Sequence, residues 1–243
     1  MNNIQKEIIN KIKTRGYWKI VIEPVFEVNN FFNHIIDAKK MVEQNRVQLR
    51  GWDYPHYPTK TDDHEGVCLE TEQLDGYIDW DYFKESWTYF KSGQFIHLLG
   101  LREDWFDEAN YFGISEQYKN IKPKSMLDFV GTTFTVTEIF IFALNLIANS
   151  NYKNRIKITI SLNNTNGRAV QTLDHRRSIW AEYKATADNI KFHEEEYSSE
   201  DLSLNYLKCS RDAAINLFKY FQWEDPSEAV IEQDQKNFLE RKI

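Results

Sequence analysis

Ser86–Gly100 reads SWTYFKSGQFIHLLG, and this stretch decides the fold class. Aromatic and β-branched residues flank a Ser92-Gly93 pair, a turn dipeptide between two strand-like runs. Ser86–Lys91 and Gln94–Gly100 are therefore read as a hairpin, with Trp87, Tyr89, Phe95 and Leu98 filling its faces. A hairpin makes an antiparallel pair, so the sheet around it is expected to be mostly antiparallel.

On the N-terminal side, Ile4, Ile8, Ile9 and Ile12 predict an amphipathic helix over Asn3–Arg15, stopped by Gly16. Tyr17–Phe26 (YWKIVIEPVF) alternates as a strand, and Pro24 near its end points to a sheet edge or a bend. Asn30 is placed to cap a helix running to about Gln44, and Val47–Trp52 reads as a short strand. Asp53–Gly66 is a long loop, followed by strands at Val67–Glu72 and Tyr77–Trp80.

On the C-terminal side, Asp104–Tyr118 reads as a short helix. Thr135 and Glu138 read as a capping box before IFIFALNLIAN, which is apolar nearly all round and predicts a buried central helix. Arg155–Leu162 and Arg168–Leu173 read as a second hairpin across NNTNG. A helix over Ser178–Ala187 and a strand over Ile190–Tyr197 follow. Ser198 with Asp201 opens a helix, a second is expected after Ser210, and Pro226 starts a third. The expected fold is α+β: a mostly antiparallel sheet packed with a buried central helix, and a helical C-terminal part. Residues 1–197 would form the core, with 198–243 an extension packed on it as part of a single unit.

The 243 residues carry 30 Lys and Arg against 37 Asp and Glu, a net charge of −7. That balance disfavours indiscriminate binding to duplex nucleic acid. The charge is uneven. Asp53–Glu85 holds ten acids against Lys60 and Lys84, and Asn151–Lys191 holds eight bases against three acids, so one acidic and one basic face are expected. Cys68 and Cys209 read as small buried hydrophobes rather than a disulfide scaffold. Met1–Arg15 lacks the apolar core of an export signal, and the longest apolar run, near Ile139–Ala148, is broken by Asn145. A cytoplasmic location with no membrane partner is expected; the oligomeric state is not legible.

No phosphate loop, dinucleotide fingerprint, nucleophile elbow or zinc-spaced cysteine pair is present, so no cofactor is expected and the chain reads less as an enzyme than as a binding module. The densest polar-aromatic cluster is RGWDYPHYP (Arg50–Pro58). Arg50, Trp52, Asp53, Tyr54 and His56 are the candidate ligand- or partner-binding residues: a guanidinium fork, rings that stack and an imidazole that shuttles protons. The competing expectation is a structural corner with Arg50 paired to Asp53. Asp62, Asp63 and His64 form a weaker candidate for a divalent metal, alongside Asp53 or His56, and with it a metal-dependent hydrolase or nuclease. Arg155, Lys157, Arg168, His175, Arg176 and Arg177 form a weak anion or nucleic-acid candidate. His34, His97 and Glu138 lie on apolar elements and read as interior polar groups.

RGYWKIVIEP (Arg15–Pro24), RGWDYPH (Arg50–His56), YFKSGQFIHL (Tyr89–Leu98) and TEIFIFALNL (Thr137–Leu146) together resemble a pattern that recurs in uncharacterised bacterial proteins. The resemblance covers about the first 150 residues, and RGWDYPH is its most specific part. It implies a bacterial, cytoplasmic origin and brings no activity with it. The expected role is a regulatory module that recognises a partner protein, in a setting such as defence or stress response, because Trp, Tyr and Arg favour recognition surfaces.

Overall fold

The computed structural model describes residues 3–26, 31–109, 118, 120–148, 152 and 155–242. Helix α1 (Asn3–Ile12) leads into strand β1 (Tyr17–Pro24), and helix α2 (Ile36–Asn45) follows. Four strands come next: β2 (Glu65–Leu69), β3 (Gln73–Trp80), β4 (Phe83–Phe90) and β5 (Phe95–Gly100). Two single-turn 3-10 helices sit at Arg102–Asp104 and Phe106–Glu108. Strand β6 (Met126–Asp128) runs directly into helix α3 (Phe129–Ala148), and then come β7 (Arg155–Asn163), β8 (Ala169–Gln171) and β9 (Asn189–Ser198). Helices α4 (Ser199–Lys219) and α5 (Glu228–Leu239) end the fold.

The fold is α+β. Seven strands form an antiparallel sheet in the order β2-β3-β4-β5-β1-β7-β9, and β6 and β8 pair separately and in parallel. The Ser92-Gly93 turn joins β4 to β5, with Tyr89 opposite Phe95 and Trp87 opposite His97. Gly93 takes φ +90°, and a Cβ there would stand 2.6 Å from the Phe31 ring, so the turn needs glycine twice over.

Alternation along β4 sorts its side chains between two layers. Ser86 and Thr88 point to α1, where Gln5 donates to both hydroxyls. Trp87 and Tyr89 point the other way, into the main core with Ile20, Ile22, Phe95 and Phe142. Glu85 follows the same parity and faces this second layer. Helix α3 is long and apolar enough to cross a bilayer by length and composition, but about two thirds of it is buried inside the fold. It is the core helix, flanked by α4 and α5.

Several sequence expectations are corrected. Strand β1 lies mid-sheet, between β5 and β7, so Pro24 does not mark an edge; it sits at the last position of the strand, and the chain bends at Val25 and Phe26 directly after it, as the other expectation had it. Val47–Trp52 is not a strand; only an isolated bridge joins Val47 to Tyr54. Arg168–Leu173 does not return along β7, because β9 supplies a far longer ladder there and Ala169–Gln171 pairs with β6. Ser178–Ala187 is not helical; its backbone bonds run to the β8 segment, from Val170 to Tyr183 and from Ala185 to Arg168. No new helix starts at Ser210, whose hydroxyl turns back to Leu207 inside a continuous α4. The capping box at Ser198 and Asp201 forms as expected. Asp104–Glu108 makes 3-10 turns; most of the rest of the expected helix, and Asn30, lie outside the described residues.

A charged cavity beneath Trp52

Reciprocal backbone bonds between Val47 and Tyr54 (2.7 and 2.9 Å) close the chain into a tight bend carrying Arg50, Trp52 and Asp53. Trp52 is sandwiched between His56 and Phe83, with ring centroids at 4.0 and 3.8 Å. Its indole N–H donates to Glu85 on β4 at 2.8 Å. The same carboxylate accepts the His56 backbone N–H at 3.2 Å and lies 2.9 Å from His97 Nε2 on β5. Burial alone would push Glu85 up; the His97 bond and charge, with His56 and Trp52, hold it below the usual carboxylate range. Glu85 thus docks the bend onto the sheet.

Arg50 and Asp53 do not pair. Asp53 turns to Arg46 at 2.8 Å. Arg50 reaches α3 instead, donating to Glu138 at 2.5 and 3.1 Å and to Thr135 at 3.2 Å. Thr135 and Glu138 are therefore not a capping box. The helix starts six residues earlier, where the Asp128 carboxylate accepts the Gly131 N–H at 2.8 Å. A Cβ at Gly131 would approach that carboxylate to 2.6 Å.

Between the bend, β4, β5 and the start of α3 lies a cavity of about 60 Å³, room for roughly four waters or one small anion. Arg50, Trp52, Asp53 and Tyr54 line it, and His56 stacks against the bend outside the lining. Arg102 and Glu103, from the first 3-10 turn, complete the wall with Asp128. The Arg102 Nε is buried without a partner, and its guanidinium makes no hydrogen bond or ion pair among the described residues. It rests near the Tyr82 and Phe83 rings, at 5.2 and 5.5 Å. Burial and the positive charge of Arg50 lower its pKa. The Tyr54 hydroxyl is also buried without a partner, and burial, Glu138 and Glu85 raise its pKa.

Three of the carboxyls hold their protons unusually well. Burial raises Glu138 to about 7, only partly opposed by Arg50. Burial, with Asp128 and Asp104 nearby, raises Glu103 to about 7. Asp128 is raised by burial too, against bonds from the Leu173 and Gly131 N–H groups. Lys84 borders the cavity, but its ammonium engages Asp79 at 2.8 Å and Glu108 at 3.4 Å.

The other candidates do not assemble. Asp62 pairs with Lys60 and accepts the N–H groups of His64 and Glu65, making a local turn. Among the described residues no three His, Cys, Asp or Glu side chains are placed to hold a metal, Asp62, Asp63 and His64 included. In the basic stretch, Arg155 and Lys157 pair with Glu196 and Glu194, and Arg176 and Arg177 with Asp174. Arg177 also holds Asp234, and His175 stacks on Tyr118. Arg168 is wholly buried against Asp104. The expected basic face is therefore largely matched by acids. The aromatic surplus is mostly interior, as Trp18, Trp87 and Trp105 show, although Trp180 is 95% exposed. Arg102, Glu103 and Asp128 were missed; the one signal was a run of charges, Arg102-Glu103-Asp104, directly after an apolar strand. No family model, curated protein or solved structure matches the chain, so the cavity is read from its own chemistry.

Proposed function

We propose that the chain is a binding module and that the cavity beneath Trp52 is its recognition site, taking a small anionic group, above all a carboxylate. One observation supports this most: half-buried Arg102 lines the cavity, its Nε is shut off from water without a partner, and its guanidinium makes no hydrogen bond or ion pair among the described residues. Shielding even part of a cation from water without a partner is costly, and groups so perturbed gather at functional sites. A carboxylate is the natural complement, since its two oxygens match the guanidinium fork. The volume admits a headgroup of a few heavy atoms, and half-buried Trp52 and Phe83 give it aromatic walls. An acidic side chain of a partner protein supplies such a group as readily as a free acid does, which keeps partner recognition within this reading.

Calorimetric titration with acetate and with a short Asp/Glu peptide tests it. Saturable binding is expected in the wild type and none in Arg102→Met, with tighter binding of the peptide if a protein is the partner. Equal binding by Arg102→Met contradicts the reading. A catalytic reading draws on Glu103 and Glu138, both near 7, where a general acid works best. It would show as ligand consumed during the titration.

A further inference from the structure

The cavity holds more acid than base. Among Arg50, Lys84 and Arg102 stand Glu138 from α3, Glu85 from β4, Glu103 from the 3-10 turn, Asp128 from the end of β6 and Asp53 from the bend. With all five carboxyls ionised against the three cations the lining carries a net charge of −2. A further anion would be repelled, and more strongly here than in bulk water because the site is partly enclosed. Glu138 is the carboxyl best placed to relieve this. It is wholly buried and holds Arg50 in a two-pronged pair. Thr135 shares Arg50 with it, Tyr54 and Glu85 act on it from the bend and the sheet, and Arg102 acts from across the cavity. His97 and His56 lie behind Glu85.

Resting on the anion-site reading, we infer that the carboxylate enters together with one proton, and that Glu138 takes the proton. Charge then balances: protein plus H⁺ plus RCOO⁻ gives a complex in which Glu138 is a neutral acid and no other bond changes. The Arg50 fork, no longer neutralised, joins Arg102 in facing the anion. Burial already holds Glu138 near neutrality, so this proton is available at ordinary pH.

The test is the acetate Kd of the full chain by calorimetry from pH 6 to 8.5 at fixed ionic strength; acetate stays ionised over this range. The expected result is a Kd that weakens about tenfold per pH unit above pH 7. At pH 8, close to one proton should be taken up per acetate, read from two buffers of different ionisation enthalpy. The near-isosteric Glu138→Gln, checked for folding by circular dichroism, should lose the proton uptake assigned to Glu138 and keep at most the smaller slope that Glu103, also near 7, contributes. A wild-type Kd that is flat across the range overturns the proton coupling while leaving the anion site standing. A full slope retained in Glu138→Gln overturns the assignment to Glu138. Absence of acetate binding at every pH defeats the anion site itself, and this inference with it.

Discussion

Arg102 and Asp104 share one 3-10 turn, yet the guanidinium of Arg102 and the one that Asp104 holds, that of Arg168, stand in opposite surroundings. Arg168 is fully buried and spends its donors on Asp104, the Met126 carbonyl at 2.9 Å and the Asn164 carbonyl at 2.9 Å. Asp104 accepts the backbone N–H groups of Gly16 and Lys124 as well, each at 2.7 Å. This closed network ties three distant segments together and leaves nothing for a ligand. Arg102 has aromatic rings and a cavity beside it and no bonded partner among the described residues. One fully buried arginine and one half-buried arginine thus separate architecture from recognition. The discriminant is whether the protein satisfies the donors: those of Arg168 are all engaged in the interior, whereas Arg102 is half-buried and its shielded Nε has no partner among the described residues.

That contrast can be broken experimentally. Arg168→Ala should cost most, about 3–5 kcal/mol, because it leaves the Asp104 charge buried and short of its main partner. Denaturant unfolding reads this directly. Next comes pH. Glu138 and Glu103 keep their protons to about 7 when folded, against an ordinary value of 4.5. The folded state therefore binds more protons between about pH 4.5 and 7. Their contribution to stability falls as pH rises through that window and is level above it. Glu138→Gln should match the wild type near pH 4.5 and exceed it by about 3 kcal/mol at pH 8. Equal pH profiles for the two proteins would refute the burial of an ionisable Glu138.

Trp52→Ala should cost about 2 kcal/mol, since a half-buried stack is lost and Glu85 is left one donor short. Arg102→Met should change stability by less than about 1 kcal/mol, and in the stabilising direction, because an unpaired cation gives way to an apolar chain of similar length. A loss as large as that of Arg168→Ala would erase the distinction between the two arginines. Arg176→Ala, which removes an exposed pair with Asp174, should leave the unfolding midpoint unmoved.

Much of the fold was legible because its signals are local. The Ser92-Gly93 hairpin, the isoleucine stripe of α1 and the apolar run of α3 each declare themselves within a dozen residues. Failures came where distant partners decide. β8 looks like half of a hairpin, but β9 competes for the edge of β7 and wins by length. The T-V-T-E pattern of Thr135–Glu138 fits a capping box, but Asp128 had already started the helix, freeing both residues to hold Arg50. The candidate site was half legible for the same reason. Arg50, Trp52 and Tyr54 stand together in one motif with its own turn chemistry. Glu85, Arg102, Asp128 and Glu138 join them only through tertiary packing, and no spacing in the sequence links those four to the bend.

The most direct measurement is the Trp52 indole N–H resonance, identified by its loss in Trp52→Phe and followed by NMR as acetate is added. Its bond to Glu85 places it in the cavity wall beside the unpaired guanidinium. A saturable shift in the wild type, absent in a folded Arg102→Met, is the expected result. A resonance that stays still in the wild type, or moves equally in both proteins, would mean that Arg102 holds no anion there.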